Sequence, residues 1–281
     1  MNSTTNEQEW LIPRSNITFD YLKKFNRNAM FLHLIQGILM VIFGFLPFLD
    51  FSVDIYTFYY EFDIATFSLL PNPEVIFTFT ALGAFVGTFL LLSAIAHFLV
   101  AYPLNKIYVR DLKKGMNKVR WFEYALSSSI MIVLIALFFG VLDFWALFMI
   151  FVSNALMNMF GLMMELHNVY TRKLNEKIKW TAYYLGVVAG AVPWIVITAF
   201  FINTGVQGED ALAEIPAFVY WIYAIELIFF NTFAINMILQ YKGVGKWKDY
   251  LYGERIYIIL SFVSKSFLAW LVFAGVFSPT G

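Results

Sequence analysis

The sequence predicts an all-α membrane protein: a bundle of seven transmembrane helices with a cytoplasmic N-terminus, and a small extracellular β-hairpin between the first two. Three observations predict it. Of 281 residues, 60% are hydrophobic and only 14% charged, with a mean hydropathy of +0.70; a soluble domain carries roughly 25% charged residues. Seven apolar stretches are each long enough to cross a hydrocarbon core of about 30 Å. Eighteen of the nineteen Lys and Arg lie in connections on one side of those stretches.

The spans are expected at 29–49, 75–101, 118–140, 143–168, 180–203, 215–240 and 254–277, with Pro71, Pro73, Pro103, Gly140, Gly205 and Gly253 near their boundaries. Residues 1–17 read as a flexible arm, and Phe19–Phe25 as a short amphipathic turn at the interface. The first 29 residues are polar and mixed in charge, so no cleavable signal peptide is expected and the first span directs insertion. Cysteine is absent, which excludes disulfides, thiol catalysis and thiolate metal sites. The three histidines fall on three different helices, and no metal site is expected.

Charge sets the orientation. Basic residues cluster before span 1 (Arg14, Lys23, Lys24, Arg27), between spans 2 and 3 (Lys106 to Arg120), between 4 and 5 (Arg172 to Lys179) and between 6 and 7 (Lys242 to Arg255). The opposite connections carry Asp50, Asp54, Glu61, Asp63, Glu74, Asp143, Glu209, Asp210 and Glu214, with no basic residue. The positive-inside rule puts the N-terminus in the cytoplasm and the C-terminus outside. That orientation makes the sequons at Asn2 and Asn16 silent. The outer loop 50–74 is rich in aromatic and β-branched residues at Val53–Phe67, which reads as a hairpin. An interfacial aromatic lid without regular structure is the other reading.

The nineteenth basic residue, Lys265, sits midway along span 7. A lysine at the centre of a spanning helix costs about 2.5–3.5 kcal/mol on translocon scales, so it is a functional hypothesis by default. It can pair with a buried carboxylate or condense with an aldehyde as a Schiff base. Glu123, in RWFEYALSSSIM of span 3, is the natural partner. Lys265 lies roughly 16 Å along its helix from the same membrane face, leaving an offset of roughly 5–10 Å that a lysine side chain largely bridges. Arg120 precedes Glu123 by three residues on one helical face. His33, Gln36, His97 and Ser261 fall at a similar depth. Each alone reads as a helix–helix hydrogen bond; together with the Lys–Glu pair they read as a shared polar, hydrated pocket.

Other polar residues stay open to two readings. Glu226 in span 6 is a proton-relay group or a protonated structural acid. Asn154 and Asn158 share a face of span 4. Gly83/Gly87 and Gly186/Gly190 have the spacing of a helix–helix or dimer contact.

Seven helices, a lysine in the seventh and a carboxylate in the third make a retinal protein the leading reading, and Arg120-Trp121-Phe122-Glu123-Tyr124 is similar to the Arg-x-x-acid motif of microbial rhodopsins. Those proteins keep the N-terminus outside. With its inverted orientation the chain resembles the heliorhodopsins, over nearly its whole length and most specifically in RWFEYALSSSIM, NTFAINMILQYKGVGKWKDYLYGER and IILSFVSKSFLAW. The resemblance implies a single retinal-binding domain over 1–281 in the cell membrane. In it, all-trans retinal is carried on Lys265 as a protonated Schiff base with Glu123 as counterion. His33, Gln36, His97, Arg120 and Ser261 would form the cavity beside the Schiff base. Tyr124, Ser128, Met131, Asn154, Met157, Trp194, Phe230 and Asn231 would line the polyene. It also implies a homodimer to which the outer loop contributes, and a light sensor rather than an enzyme or nucleic-acid binder, with an unidentified cytoplasmic signalling partner.

Two readings compete. A sensor moves a proton within the cytoplasmic pocket; a light-driven or light-gated proton conductor would use Glu226. The outer half of the bundle is nearly all Phe, Leu, Ile, Val and Ala, which favours the sensor. A dark secondary transporter using a Lys265–Glu123 pair would want inverted repeats or broken helices, and no repeat is visible.

Overall fold

The protein is described by a computed structural model covering residues 15–46, 52–80, 82–171, 176–206 and 215–277. Most of the N-terminal arm lies outside the described residues, as do Asp50, Arg172, Lys173, Glu209, Asp210, Glu214 and the C-terminal end.

Helix α1 runs unbroken over Phe19–Phe43, its first turn capped by Thr18, whose Oγ1 accepts from the Tyr21 N–H at 3.1 Å. The expected interfacial turn at Phe19–Phe25 is therefore the first two turns of this helix. Lys23, Lys24 and Arg27 interrupt the hydropathy but not the helix, because Leu22 and Asn26 are buried beneath them. The chain then forms β1 (Val53–Asp63) and β2 (Ser68–Phe79), paired antiparallel from Val53↔Phe79 to Asp63↔Ser68. The hairpin reading holds, but β2 takes residues 75–79 that were expected to start the second span. Pro71 and Pro73 sit inside this two-stranded ribbon, where an edge position tolerates the missing N–H. At the tip, the Asp63 carboxylate accepts from the Thr66 hydroxyl (2.7 Å) and the Ala65 N–H (2.9 Å), which holds its pKa below the usual range. At the base, Tyr56 N–H donates to the Leu142 carbonyl at 2.9 Å, tying the hairpin to the next outer turn.

Helix α2 covers Leu82–Ala101, and a short amphipathic α3 (Asn105–Lys113) follows Pro103, burying Tyr108 and Leu112. Then come α4 (Lys118–Phe138), α5 (Phe144–Tyr170), α6 (Thr181–Val206), α7 (Ala217–Lys242) and, after a 3₁₀ turn at Gly245–Lys248, α8 (Tyr250–Phe277). Among the described residues seven helices, all but α3, are long and apolar enough to cross a membrane. Asn117 caps α4 and Asp143 caps α5 through side-chain oxygens that accept from the third residue onward. Gly243 ends α7 in the left-handed conformation, φ 61°.

The two glycine pairs are intramolecular contacts. A Cβ on Gly83 would lie 2.6 Å from the Gly44 Cα, so α1 and α2 cross backbone to backbone; Gly186 and Gly190 face Phe160 and Met157 of α5. The half of the bundle below the hairpin is an apolar core in which Phe89, Ile132, Ile135, Ile197, Ile222 and Leu268 are fully buried. The polar residues collect in the other half, on the side where the basic connections lie.

Candidate functional site

Lys265 is 3% exposed on α8. An ammonium has three donors, and all three are used: Glu123 Oε1 at 2.5 Å, Ser93 Oγ at 2.6 Å and Ser261 Oγ at 2.9 Å. Ser93 in turn donates to Glu123 Oε1 at 2.6 Å, closing a ring of lysine, serine and carboxylate. The Tyr124 ring centroid lies 5.2 Å from the ammonium, within cation–π range. Sequence reasoning found Lys265, Glu123 and Ser261 but missed Ser93. Its signal was present, since Ser93 lies one turn from His97 on the same face of α2.

On the basic side of this pair is a small polar cavity of about 30 Å³, to which His97, Arg120, Glu123, Tyr124, Glu254 and Ser261 all contribute. One ordered water needs about 10–15 Å³ by the same measure, so the cavity is of hydration size. His97 Nδ1 is 2.7 Å from Asn26 Oδ1, and its ring stacks on His33 with centroids 5.5 Å apart. Among the described residues His33 Nδ1, His33 Nε2 and Gln36 Oε1 have no protein hydrogen-bond partner; buried polar atoms of this kind are those that proteins satisfy with ordered water. The expected group of His33, Gln36, His97 and Ser261 is thus placed in the same half of the bundle as the Lys–Glu pair.

Arg120 lines this polar cavity but does not reach Lys265. Its guanidinium is buried between Glu254 and Glu165, pairing with both, and lies 3.9 Å from the Tyr257 ring centroid. Asn117 completes the cluster, its N–H donating to Glu165 (2.8 Å) and its side chain to Glu254 (2.6 Å). Tyr108 donates to Glu254 at 3.2 Å and accepts from Asn26 at 3.3 Å, so hydrogen bonds run from His97 through Asn26, Tyr108 and Glu254 to Arg120. Burial and the neighbouring Glu254 push the Tyr108 phenol well above its usual range, so it stays a donor. Glu165 and Glu254 were missed because each lies near a helix end, where an acid reads as part of a solvated connection.

On the other side of Lys265 lies an elongating wall of apolar groups. One cavity is lined by Trp121, Tyr124, Ser128 and Met131 of α4, by Met157, Asn158 and Gly161 of α5, by Ala182, Tyr183, Gly186 and Val187 of α6, by Phe230, Phe233, Ala234 and Met237 of α7, and by Ser261, Ser264 and Lys265. Of the expected lining residues, Tyr124, Ser128, Met131, Met157 and Phe230 are there. Asn154 stands behind the wall, donating to Ser128 (2.7 Å) and Ser129 (3.0 Å), and Trp194 packs behind Phe230 with centroids 5.6 Å apart. Asn231 is a correction: it is exposed on the outer face of α7, with its amide satisfied by the Leu227 carbonyl at 2.7 Å. Phe230, Phe233, Ala234 and Met237 follow the i, i+3, i+4, i+7 stripe that faces the cavity, and Asn231 is about 100° off it.

Glu226 is fully buried on α7 and accepts from Ser264 at 3.2 Å, while its other oxygen has no partner among the described residues. It lines neither cavity described above.

A seven-helix membrane bundle whose last helix places a buried lysine against a carboxylate of the third span, between a polar and an aromatic cavity, is the arrangement of rhodopsin-type proteins. The heliorhodopsin family model matches residues 22–277. The chain belongs to the heliorhodopsin family, and is therefore a multi-pass, light-responsive membrane protein of the photoreceptor type for which the family implies a retinal chromophore. No curated protein matches the chain significantly.

Proposed function

We propose that this protein is a light-sensing photoreceptor in which Lys265 carries all-trans retinal as a protonated Schiff base, Glu123 is the counterion, and light-driven proton transfer stays inside the basic-side pocket without net ion pumping. The observation that carries the reading is the position of Lys265 in the wall of the aromatic cavity, with its Nζ hydrogen-bonded to Glu123 and Ser261, which line the polar cavity. The residues suit a rod-like apolar aldehyde. The aromatic cavity begins at the one amine, and Gly161 leaves the space that the Trp121 indole fills, where a Cβ would overlap it. Retinal supplies the light-driven isomerisation; the chain holds the charge and receives the proton. Glu123 Oε1, 2.5 Å from Nζ, is the first acceptor. His97, on the same polar cavity, and His33 stacked on it are the next. Ser93 and Ser261 hold Nζ in place from two sides.

The second reading is a light-driven or light-gated proton conductor, favoured by the buried Glu226 bound to Ser264, the neighbour of Lys265. Voltage-clamp recording of illuminated cells separates the two. A change in absorption without sustained photocurrent is the expected result. A sustained photocurrent abolished by Glu226→Gln would establish the conductor.

The same reading takes residues 1–281 as one retinal-binding domain, non-enzymatic and binding no nucleic acid, in the cell membrane with a cytoplasmic N-terminus and an extracellular C-terminus. An epitope tag placed after Gly281 is expected to stain on intact cells; staining only after permeabilisation would reverse the orientation. A homodimer is part of the proposal. The aromatic face of the hairpin, with Phe58, Tyr60 and Phe62 more than half exposed, is an apolar surface of the kind that partners cover. Its output would pass to an unidentified cytoplasmic signalling partner.

A further inference from the structure

We infer that the basic-side end of α1 and α2 is a binding site for the phosphate headgroup of an anionic phospholipid. Lys23, Lys24 and Arg27 of α1 converge with Asp20, Ala101 and Tyr102 on one cleft of about 380 Å³, several times the volume of a phosphate group. Three cations face one carboxylate there. Among the described residues none of the three cations lies within ion-pair distance of a carboxylate. The positive-inside rule accounts for how many basic residues lie on this side, but not for their convergence on a cleft between two helices.

The surroundings favour a lipid over a free anion. Immediately deeper along the same two helices, Phe31, Ile35 and Ile38 of α1 and Ile95 and Phe98 of α2 are between 46% and 56% exposed. They form an apolar lane toward the bilayer interior, and acyl chains fill such a lane while the headgroup occupies the cleft. Tyr102, its ring tilted against Phe98 with centroids 5.3 Å apart, sits at the boundary between cleft and lane, where an amphipathic ring suits both. Basic pockets between helices at the membrane surface hold anionic headgroups through this combination of charge and depth.

Native mass spectrometry of the full-length protein tests it, with phosphatidylglycerol and phosphatidylcholine offered together. One phosphatidylglycerol per chain is expected to be retained in preference to phosphatidylcholine. Each cation removed should weaken the preference roughly fivefold, and Lys23→Gln/Lys24→Gln/Arg27→Gln together roughly a hundredfold. Asp20→Asn should strengthen it roughly fivefold. Where the triple variant loses its far-ultraviolet helical signal, Arg27→Gln alone supplies the fivefold comparison. Equal retention of the two lipids, or a preference unchanged in folded variants, would overturn the site. Displacement of the lipid by inorganic phosphate at equal concentration would overturn the lipid assignment in favour of a soluble anion.

Discussion

Lys265→Ala, expressed with added all-trans retinal, is expected to give a folded protein with no visible absorption band. Among the described residues no other amine lines the aromatic cavity, whose walls are otherwise Trp, Tyr, Phe, Met, Ser, Asn and small residues. Loss of the ammonium also leaves Glu123, whose side chain is 9% exposed, without its cation, Ser93 still donating to it. Removing one member of a buried pair costs about 3–5 kcal/mol, so the single variant should also melt at a lower temperature. Lys265→Ala/Glu123→Gln should recover most of that stability and remain colourless. The two readouts thus separate attachment from folding. A visible band in either variant would place the chromophore elsewhere.

Arg120→Met is expected to destabilise the protein by about 3–5 kcal/mol, because it leaves Glu165 and Glu254 buried without a cation. The guanidinium is the cation shared by the two carboxylates, which Asn117 also bridges as a neutral donor, and its place against Tyr257 would be taken by an apolar chain of similar length. Arg120→Met/Glu165→Gln/Glu254→Gln should regain most of the loss, since neutral amides keep the Asn117 contacts without an uncompensated charge. Thermal unfolding in one detergent measures both. A melting temperature unchanged in Arg120→Met would mean that the cluster contributes no stability and that its carboxylates are held in another way.

The centre of the candidate site was legible because an ionisable residue inside an apolar run is costly, and cost makes it visible. Lys265 stands out in any hydropathy reading, and Glu123 is the acid at matching depth. Rotational phase was less legible. Asn231 is one residue from Phe230, yet on a helix that single step turns it about 100° from the cavity to the exterior. The beginning of α1 was masked by Lys23, Lys24 and Arg27, whose charges lie on an exposed face while Leu22 and Asn26 beneath are buried. The paired strand Ser68–Phe79 ran on into apolar residues that look the same whether they cross a membrane or cover a hairpin. The Arg120 cluster needed three distant segments to meet, and no local pattern encodes that meeting.

In a chain made from its N-terminus, Arg120 and Glu123 enter the bilayer long before the residues that neutralise them. Glu123 waits for Lys265 across 142 positions and Arg120 for Glu254 across 134. At about 5–20 residues per second of synthesis, that is roughly 7–30 seconds. Glu165 arrives after 45 positions and pairs with Arg120; the ammonium that pairs with Glu123 comes only with α8. The ion pair at the heart of the site therefore closes last, when α8 brings Lys265 against Ser93 of α2 and Glu123 of α4.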